Sequence, residues 1–293
     1  MKKLVLIAAF AFIATGNINA KTFNVSNTNE LNNAINSVND GDTIKVVQNI
    51  LLMADLDTIT KSITITADTN DKGKPILIIS GNNRQFRVFV FDKNSNSKIE
   101  NLMIIESDRY GIGVINSASI TVNNVIANNN KSSGLYFESA GNYNINNFIT
   151  ENSSNGIIIR GSGYEKNYIK NTIVSNNNIC GIELAKTTVE MDNIIINNNR
   201  WGLILYFDYR GVEALINNIT VSNNALDGMR IYQFCNVYIN NATIIYQHRN
   251  NRWGITIDGN CILHNSTISD IWGDRVKIGA NANVLISNCS AQF

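Results

Sequence analysis

Two short strings of the sequence place an arginine and a tryptophan next to each other. They are "NNNRWGLIL" at 197–205 and "NNRWGITI" at 250–257. An indole ring offers a flat apolar face on which a sugar can stack, and a guanidinium group binds carboxylate or sulfate groups. The candidate ligand-binding residues are therefore Arg200, Trp201, Tyr206, Arg252 and Trp253. The alternative is that the tryptophans only cover the corner of a repeating structure.

A second set of residues could transfer protons. A positioned arginine or lysine can act as a base and a tyrosine hydroxyl as an acid, if both reach the same substrate. The candidate catalytic residues are Arg230, Tyr232, Asp258 and Lys277. The signs of the charges alternate along this part of the chain, which is also what a salt-bridged surface of about 0–1 kcal/mol per pair would show. Both interpretations stay open at this point.

The cysteines do not have the spacing of metal ligands. Cys180, Cys235, Cys261 and Cys289 lie far apart in the sequence, so we expect no metal, and no motif indicates a cofactor. Free buried thiols and disulfides are both compatible with this pattern. His248 and His264 fit a turn or a ladder position better than a catalytic one.

The residues that would position these side chains follow a repeat. One asparagine recurs every 22 to 25 residues, at Asn101, Asn124, Asn147, Asn171, Asn193, Asn218, Asn241, Asn265 and Asn288. A second column follows five residues later, at Asn129, Asn152, Asn176, Asn198 and Asn223. A third column is glycine, at Gly111, Gly134, Gly156, Gly181, Gly202, Gly228 and Gly254. A fixed period of this length indicates a solenoid.

Each repeat contains three strand-like pieces with alternating apolar residues. In one repeat they are "SITV" (119–122), "VIA" (125–127) and "LYFE" (135–138). Asparagine tolerates the left-handed backbone of a tight corner, and we expect glycine to supply positive φ at the other corner. Three strands per 22–25 residues predict an all-β fold, a right-handed parallel β-helix in which stacked asparagine and glycine ladders mark the corners.

The segment before the repeats predicts a capping helix. Leu31, Ala34, Ile35 and Val38 recur at helical spacing in "NTNELNNAINSV", so one face of a short helix is apolar and can cover the end of the stack. We find no domain boundary after this point and predict a single domain over residues 21–293.

Residues 1–20 have the features of a signal peptide. Lys2 and Lys3 precede an apolar run that is too short to span a bilayer, and "INA" at 18–20 is an acceptable cleavage site. We therefore predict a secreted or cell-surface protein without a membrane span. The 24 Lys and Arg nearly balance the 23 Asp and Glu, which gives no general attraction for nucleic acid.

The sequence resembles the pectin-lyase-like superfamily of right-handed β-helices. The repeat carries this resemblance over nearly the whole chain, and the N-terminal strings "ELNNAINSVNDGDTIKVV" and "ITKSITITAD" resemble the start of bacterial surface β-helix proteins and adhesins. In enzymes of this superfamily, the sugar lies along the outside of the strand that follows the glycine corner. The resemblance therefore implies that Arg230, Tyr232, Asp258 and Lys277 would face a glycan, with Arg or Lys taking the sugar C5 proton and Tyr232 as the acid.

The catalytic motifs of this superfamily are missing from the sequence. There is no Asn-Thr-Asp, Asp-Asp and Gly-His-Gly set, no Asp-Pro-His-Asp and no Arg-x-Pro signature. The leading hypothesis is therefore a non-catalytic β-helix that presents a polysaccharide- or surface-binding face. The alternative is a polysaccharide lyase or a related enzyme acting on an acidic polysaccharide.

The C-terminal end of the predicted stack has no capping helix. After Asn288 the string "CSAQF" is too short to finish a coil, so inward residues such as Ile268, Val276 and Ile278 would face an incomplete layer. Exposed strand edges invite pairing with another chain. We expect a second copy or a cell-surface component to cover this end, with Phe293 in the contact.

Overall fold

The computed structural model of the protein describes residues 20–84, 87–93, 95–161, 166–206, 211–245, 253–269 and 275–291. These residues form an all-β parallel solenoid of about 11 coils with 4% helix. The predicted signal peptide, Arg252 and Phe293 lie outside the described residues. Within them, the coils form one uninterrupted stack of two parallel sheets.

The predicted capping helix is present as α1, Thr28–Ser37. The Asn27 side chain accepts a hydrogen bond from the Glu30 N–H at 3.0 Å, and Glu30 Oε2 accepts one from the Ser26 N–H at 2.7 Å. The arrangement is similar to a capping box, except that Glu30 bonds to the residue before the N-cap, and it satisfies backbone donors at the helix start. The opposite face buries Leu31 and Ile35 in the hydrophobic core, so the helix covers the N-terminal end of the stack.

Sheet A contains sixteen of the described strands. They are β1 (Thr22–Val25), β2 (Thr43–Val46), β3 (Ile50–Leu51), β4 (Thr64–Ala67), β5 (Ile78–Ser80), β7 (Asn96–Ile105), β9 (Ser119–Asn128), β11 (Tyr143–Glu151), β13 (Asn167–Ser175), β15 (Thr188–Asn197), β17 (Glu213–Ser222), β19 (Asn236–Ile245), β21 (Asn260–His264), β22 (Thr267–Ser269), β24 (Val284–Ser287) and β25 (Ser290–Ala291). Each long strand pairs in parallel with the corresponding strand of the coils before and after it, as a solenoid requires.

Sheet B contains nine strands, seven of which begin beside a member of the glycine column. They are β6 (Arg87–Phe91), β8 (Tyr110–Ile115), β10 (Ser133–Glu138), β12 (Asn155–Arg160), β14 (Cys180–Ala185), β16 (Trp201–Tyr206), β18 (Met229–Ile231), β20 (Ile255–Ile257) and β23 (Val276–Ile278). Inward residues of both sheets, such as Val122, Leu135 and Phe137, are fully buried, as the alternation of the sequence predicts.

The first asparagine column bends sheet A instead of dividing it. Its nine members all have positive φ, between 46° at Asn265 and 61° at Asn101, which confirms the predicted left-handed corner. Hydrogen bonding continues past the bend, because β9 pairs with β11 on both sides of Asn124. The three strand-like pieces of each coil therefore form three faces but only two hydrogen-bonded sheets. The second column, at Asn129 to Asn223, is left-handed as well.

The predicted role of the glycine column is wrong. Among the described glycines only Gly41, Gly73 and Gly161 have positive φ. A Cβ on Gly111 would lie 2.9 Å from the Gly134 carbonyl oxygen, and one on Gly181 would lie 2.8 Å from the Gly202 carbonyl oxygen. The column is glycine because the backbone of the next coil occupies the space of a side chain.

The first asparagine column lies on the surface of the stack. Its amides bond along the stack, as from Asn193 Nδ2 to Asn171 Oδ1 at 2.8 Å, but Asn147 and Asn193 are exposed. The buried network belongs to the residue after the second column. Each of its amide oxygens accepts a backbone N–H of the preceding coil, as Asn199 Oδ1 does from the Asn177 N–H at 2.9 Å. Its buried asparagines are Asn130, Asn177, Asn199 and Asn224.

All four cysteines are free thiols in the described residues. Cys180, Cys235 and Cys261 are buried, and Cys289 is half-buried. Of the two interpretations that the sequence leaves open, the structure favours free, buried cysteine.

Candidate functional site

The outward side chains of sheet B form two columns along the solenoid. The strand register places in the first column Gly113, Tyr136, Ile158, Glu183, Ile204, Arg230, Thr256 and Lys277. The second column contains Ile115, Glu138, Arg160, Ala185, Tyr206, Tyr232 and Asp258. This register agrees with the spacing of the glycine column and places Lys277 beside Thr256. We call this surface the sheet B face.

A groove of about 630 Å³ lies on the sheet B face. Its lining residues are Arg160, Glu183, Ala185, Trp201, Ile204, Tyr206 and Tyr232. One wall is ionic, because Arg160 donates from Nε to Glu183 Oε1 at 3.0 Å and holds the same oxygen through Nη2 at 2.9 Å. This part of the groove is therefore a salt-bridged surface.

The other wall of the groove is aromatic. The rings of Tyr206 and Tyr232 meet edge to face with centroids 5.2 Å apart. Tyr206 is 45% exposed, and Trp201 is half-buried. Trp201 and Tyr206 stand at the two ends of β16 and Tyr232 lies in the next coil, so this aromatic surface comes from two adjacent coils, roughly 4.8 Å apart.

Arg230 lies next to this aromatic surface. Its guanidinium carbon is 5.9 Å from the centroid of the Trp201 ring and 4.8 Å from that of Tyr232. Both distances are within the range of cation–π attraction. The structure thus brings together three residues that the sequence assigned to different roles: Arg230 and Tyr232 to catalysis, and Trp201 to binding.

Arg230 is also tied to a residue that the sequence did not predict. Asp227 is 2% exposed, and its Oδ2 lies 3.9 Å from Arg230 Nη1. The same oxygen accepts a hydrogen bond from Thr256 Oγ1 at 3.1 Å, while Oδ1 accepts one from the Trp253 N–H at 3.4 Å. A buried carboxylate needs such partners, since leaving it unpaired costs several kcal/mol.

The position of Asp227 follows from the same repeat as the tryptophans. The Gly202 N–H bonds to the Asp227 carbonyl, and the Gly228 N–H bonds to the Trp253 carbonyl, both at 3.2 Å. Trp201, Asp227 and Trp253 therefore occupy one corner column in three successive coils, each directly before a glycine. The sequence did contain a signal for this residue, an aspartate directly before a glycine of the column. The catalytic candidates were taken only from positions after the glycines, so Asp227 was missed.

The remaining predicted residues are spread along the face. Lys277 Nζ lies 5.2 Å from the ring centroid of Trp253, and Asp258 follows Tyr232 in the second column, one coil beyond the groove. Arg200 is exposed on the turn before β16. The structure thus gathers Arg230, Tyr232, Trp201 and Tyr206 around the groove. Trp253 lies one coil further on, in contact with Lys277 of the coil after that.

The chemistry of this arrangement is that of a cationic and aromatic surface. Arg230 faces a carboxylate and two rings, and no described group of three or more His, Cys, Asp or Glu side chains could hold a metal ion. Within the described residues there is also no helix of a length and hydrophobicity that could cross a membrane.

Comparisons with known proteins identify the fold. A family model described as "Right handed beta helix region" matches residues 87–214. The structure is similar to that of the pectate lyase Pel9A, with a TM-score of 0.60 at 15% identity over 94% of this chain and 80% of that chain. It is also similar to the catalytic domain of a GH87 α-1,3-glucanase, with a TM-score of 0.59 at 14% identity over 92% and 69% of the two chains.

A third similar structure is the periplasmic alginate epimerase AlgG, with a TM-score of 0.58 at 12% identity over 93% of this chain and 85% of that chain. No curated protein is similar enough in sequence to match. At these identities the likeness concerns the fold. The chain therefore has the fold of a right-handed parallel β-helix, which it shares with these structures.

Proposed function

We propose that the protein is exported and binds an acidic polysaccharide along the sheet B face without cleaving it. The observation that carries this proposal is the placement of Arg230 beside the aromatic groove, between the rings of Trp201 and Tyr232 and next to buried Asp227. Stacking surfaces and a fixed cation are the two elements that recognise a charged sugar.

The form of the groove supports a polymer as ligand. The groove crosses several coils, and its lining changes from an ion pair at Arg160 and Glu183 to aromatic rings at Tyr206 and Tyr232. An extended chain of sugars can contact both parts at once. The similar structures include, by their titles, a pectate lyase and an alginate epimerase, which is in keeping with an acidic polymer as ligand.

Binding is favoured over cleavage by the environment of Arg230. A base that removes a proton must be able to lose its own, and arginine keeps its proton in proteins. Its ion pair with Asp227 makes Arg230 a fixed positive charge beside the groove. The lyase alternative has one supporting observation, the approach of the Arg230 guanidinium to the Tyr232 ring at 4.8 Å.

The test is a binding and turnover assay on the protein over residues 20–293. We expect polygalacturonate or alginate to bind, and uncharged dextran to bind the sheet B face much more weakly. Arg230→Gln should weaken the binding of the acidic polymer by about tenfold, the loss of one charge-assisted hydrogen bond. The matched control is Tyr168→Ala, which removes an aromatic side chain from the outer surface of sheet A.

Ultraviolet absorbance of the unsaturated product separates the two functions. Formation of that product at enzymatic rates, and its loss in Tyr232→Phe, would replace the binding proposal by the lyase alternative. Failure of every uronic acid polymer to bind would contradict both.

A further inference from the structure

A second groove, of about 760 Å³, lies on the outer surface of sheet A. It runs parallel to the solenoid axis across the N-terminal ends of β15, β17, β19, β21 and β24. None of its lining residues belongs to the sheet B face. We call it the sheet A groove.

Two rows of side chains form the sheet A groove, each with one member per coil. The polar row contains Lys166, Thr188, Glu213, Asn236, Asn260 and Asn283. The apolar row contains Leu215, Tyr238, Ile262 and Leu285. The strand register keeps the two rows parallel, so a ligand along the axis would meet both in every coil.

The apolar row is specific to the groove. In the preceding coils the same outward column contains Lys98, Thr121, Asn144, Tyr168 and Glu190. Within the groove Tyr238 is 38% exposed, Ile262 is 41% exposed and Leu285 is 59% exposed. Apolar side chains that are exposed to water do not stabilise the fold. A row of them, at positions that are polar elsewhere on the same surface, therefore indicates contact with a ligand.

The polar row offers hydrogen bonds at a regular interval. Asn260 Nδ2 donates to Asn236 Oδ1 at 2.7 Å, so the amides form a ladder along the axis. Each amide has two N–H donors and one carbonyl acceptor, which leaves hydrogen-bonding capacity on the solvent side of the ladder. The interval is the coil spacing of roughly 4.8 Å.

This interval selects among linear ligands. A peptide strand repeats its side chains on one side at about twice 3.3 Å, which does not match the coil spacing. An alkyl chain has no polar atoms, so it would exclude water from the amides without offering them hydrogen bonds in return. Leaving these amides without partners would cost free energy. A chain of pyranose sugars has a repeat close to the coil spacing, with hydroxyl groups for the amides and C–H surfaces for the apolar row.

The charges of the groove favour an uncharged ligand. Among the described residues, its charged lining consists of one cation, Lys166, and one anion, Glu213, and Lys166 is paired with Glu190 at 2.6 Å. A second copy of the chain fits less well, since a stable protein interface buries about 800 Å² per partner and the exposed apolar row has only a few side chains.

We propose that the sheet A groove is a binding site for a linear, uncharged oligosaccharide. It is separate from the sheet B face, and it does not depend on the acidic ligand proposed there. Tyr238 and Ile262 contact the C–H surfaces of the sugars, and Asn236 and Asn260 bind their hydroxyl groups.

Isothermal titration of the protein over residues 20–293 with cellohexaose, xylohexaose and mannohexaose tests this proposal. At least one of the three should bind, and Tyr238→Ala and Asn260→Ala should each weaken it by about tenfold. Tyr168→Ala is the matched control, because it removes a tyrosine from the same column outside the groove. Arg230→Gln on the sheet B face should leave this binding unchanged.

Three results would overturn the proposal. They are no binding of any of the three hexasaccharides at millimolar concentration, equal binding by Tyr238→Ala and the control, or preferential binding of dodecanoate, which would indicate an alkyl ligand. Thermal melting of each variant checks that it is folded. Failure of acidic polymers to bind would contradict only the function proposed for the sheet B face.

Discussion

Asp227 gives the sheet B face its most specific electrostatic feature at the scale of single residues. The buried carboxylate accepts hydrogen bonds from Thr256 Oγ1 and the Trp253 N–H of the neighbouring coil, and it forms an ion pair with Arg230 of its own coil. Thr256 is at an outward position but is only 2% exposed, because its hydroxyl is directed to this carboxylate. Asp227 thereby fixes the guanidinium of Arg230 relative to the groove.

We predict that Asp227→Asn keeps the fold and lowers affinity for acidic polymers. The asparagine carbonyl oxygen can still accept the bond from the Trp253 N–H, and its amide group can donate to Thr256 Oγ1, but the charge that orients Arg230 is lost. We expect about a fivefold to tenfold weaker binding of polygalacturonate or alginate, with unchanged thermal unfolding within about 1 kcal/mol. An NMR spectrum of the arginine Nε–H groups shows independently of any ligand whether Arg230 becomes mobile. Unchanged affinity together with an unchanged Arg230 signal would contradict this role.

Trp201 and Trp253 test whether the aromatic column binds a ligand or only covers a corner. They lie two coils apart in the same column, and Arg230 contacts the first while Lys277 contacts the second. If they form a binding strip, the double variant Trp201→Ala/Trp253→Ala should fold and lose more affinity than either single variant. Affinity electrophoresis in gels containing the acidic polymer measures this. Equal retardation of the wild type and the double variant would leave both residues with the corner role alone.

The cysteines allow a chemical test of the burial pattern. Burial raises the pKa of the Cys261 thiol to about 12, and burial also raises that of Cys180. The reactive thiolate is therefore scarce below the raised pKa. We predict that iodoacetamide at pH 8 labels half-buried Cys289 first and leaves Cys180 and Cys261 unlabelled until the protein unfolds. Mass spectrometry of the labelled protein reads this out, and early labelling of Cys180 would contradict the packing described for β14.

At the scale of the element, each corner of the solenoid has its own physical requirement. The two asparagine columns need a left-handed backbone, which asparagine adopts more readily than most residues. The glycine column needs the absence of a side chain, because the carbonyl oxygen of the next coil occupies that position. The buried asparagines need a partner, since their amides replace water around backbone N–H groups of the preceding coil.

The two kinds of asparagine should therefore respond differently to substitution. Asn199→Ala removes a buried amide that bonds to the Asn177 N–H, and we predict a loss of about 1–3 kcal/mol of unfolding free energy. Asn193→Ala affects an exposed amide and a left-handed backbone of φ 55°, and we predict a smaller loss, about 1 kcal/mol. Urea unfolding of the two variants compares them. A larger effect at Asn193 would show that the backbone conformation outweighs the buried network.

At the scale of the whole molecule, the two ends of the stack differ. Helix α1 covers the N-terminal end, whereas the last described coil leaves Ile278 at 51% and Ile286 at 44% exposure. Both occupy inward positions, because they pair with the fully buried residues Ile257 and Leu263 of the preceding coil. Of the other residues predicted to face an incomplete layer, Ile268 is 2% exposed and is covered by pairing of β22 with β25.

These exposed isoleucines carry the prediction that the C-terminal end is covered by a second copy or a cell-surface component. We expect sedimentation of the protein at micromolar concentration to show reversible association. Ile278→Asp with Ile286→Asp should shift it to monomers, because a charge in an apolar contact is costly. A monomeric wild type whose sedimentation and stability equal those of the double variant would contradict the contact.

The sequence by itself determined the period, the parallel β-helix, the capping helix and the register of the outward columns. This was possible because every coil of a solenoid contacts only its neighbours. The spacing of the first asparagine column, from Asn101 and Asn124 onward, therefore predicts which residues stack on each other. The alternation around Val122 and Phe137 likewise identified the inward side chains before any coordinates were considered.

Only the tertiary structure decided how side chains of adjacent coils meet. The repeat shows that Trp201, Asp227 and Trp253 share a column, but not that Asp227 turns inward to Thr256 and Arg230. Nor does the repeat distinguish exposed Asn193 from buried Asn199, or a glycine chosen for close packing from one chosen for positive φ. Those outcomes depend on the direction of each side chain and on its contacts with residues a full coil away. An atom of the next coil can occupy the space beside a residue, or that space can stay open as part of a groove.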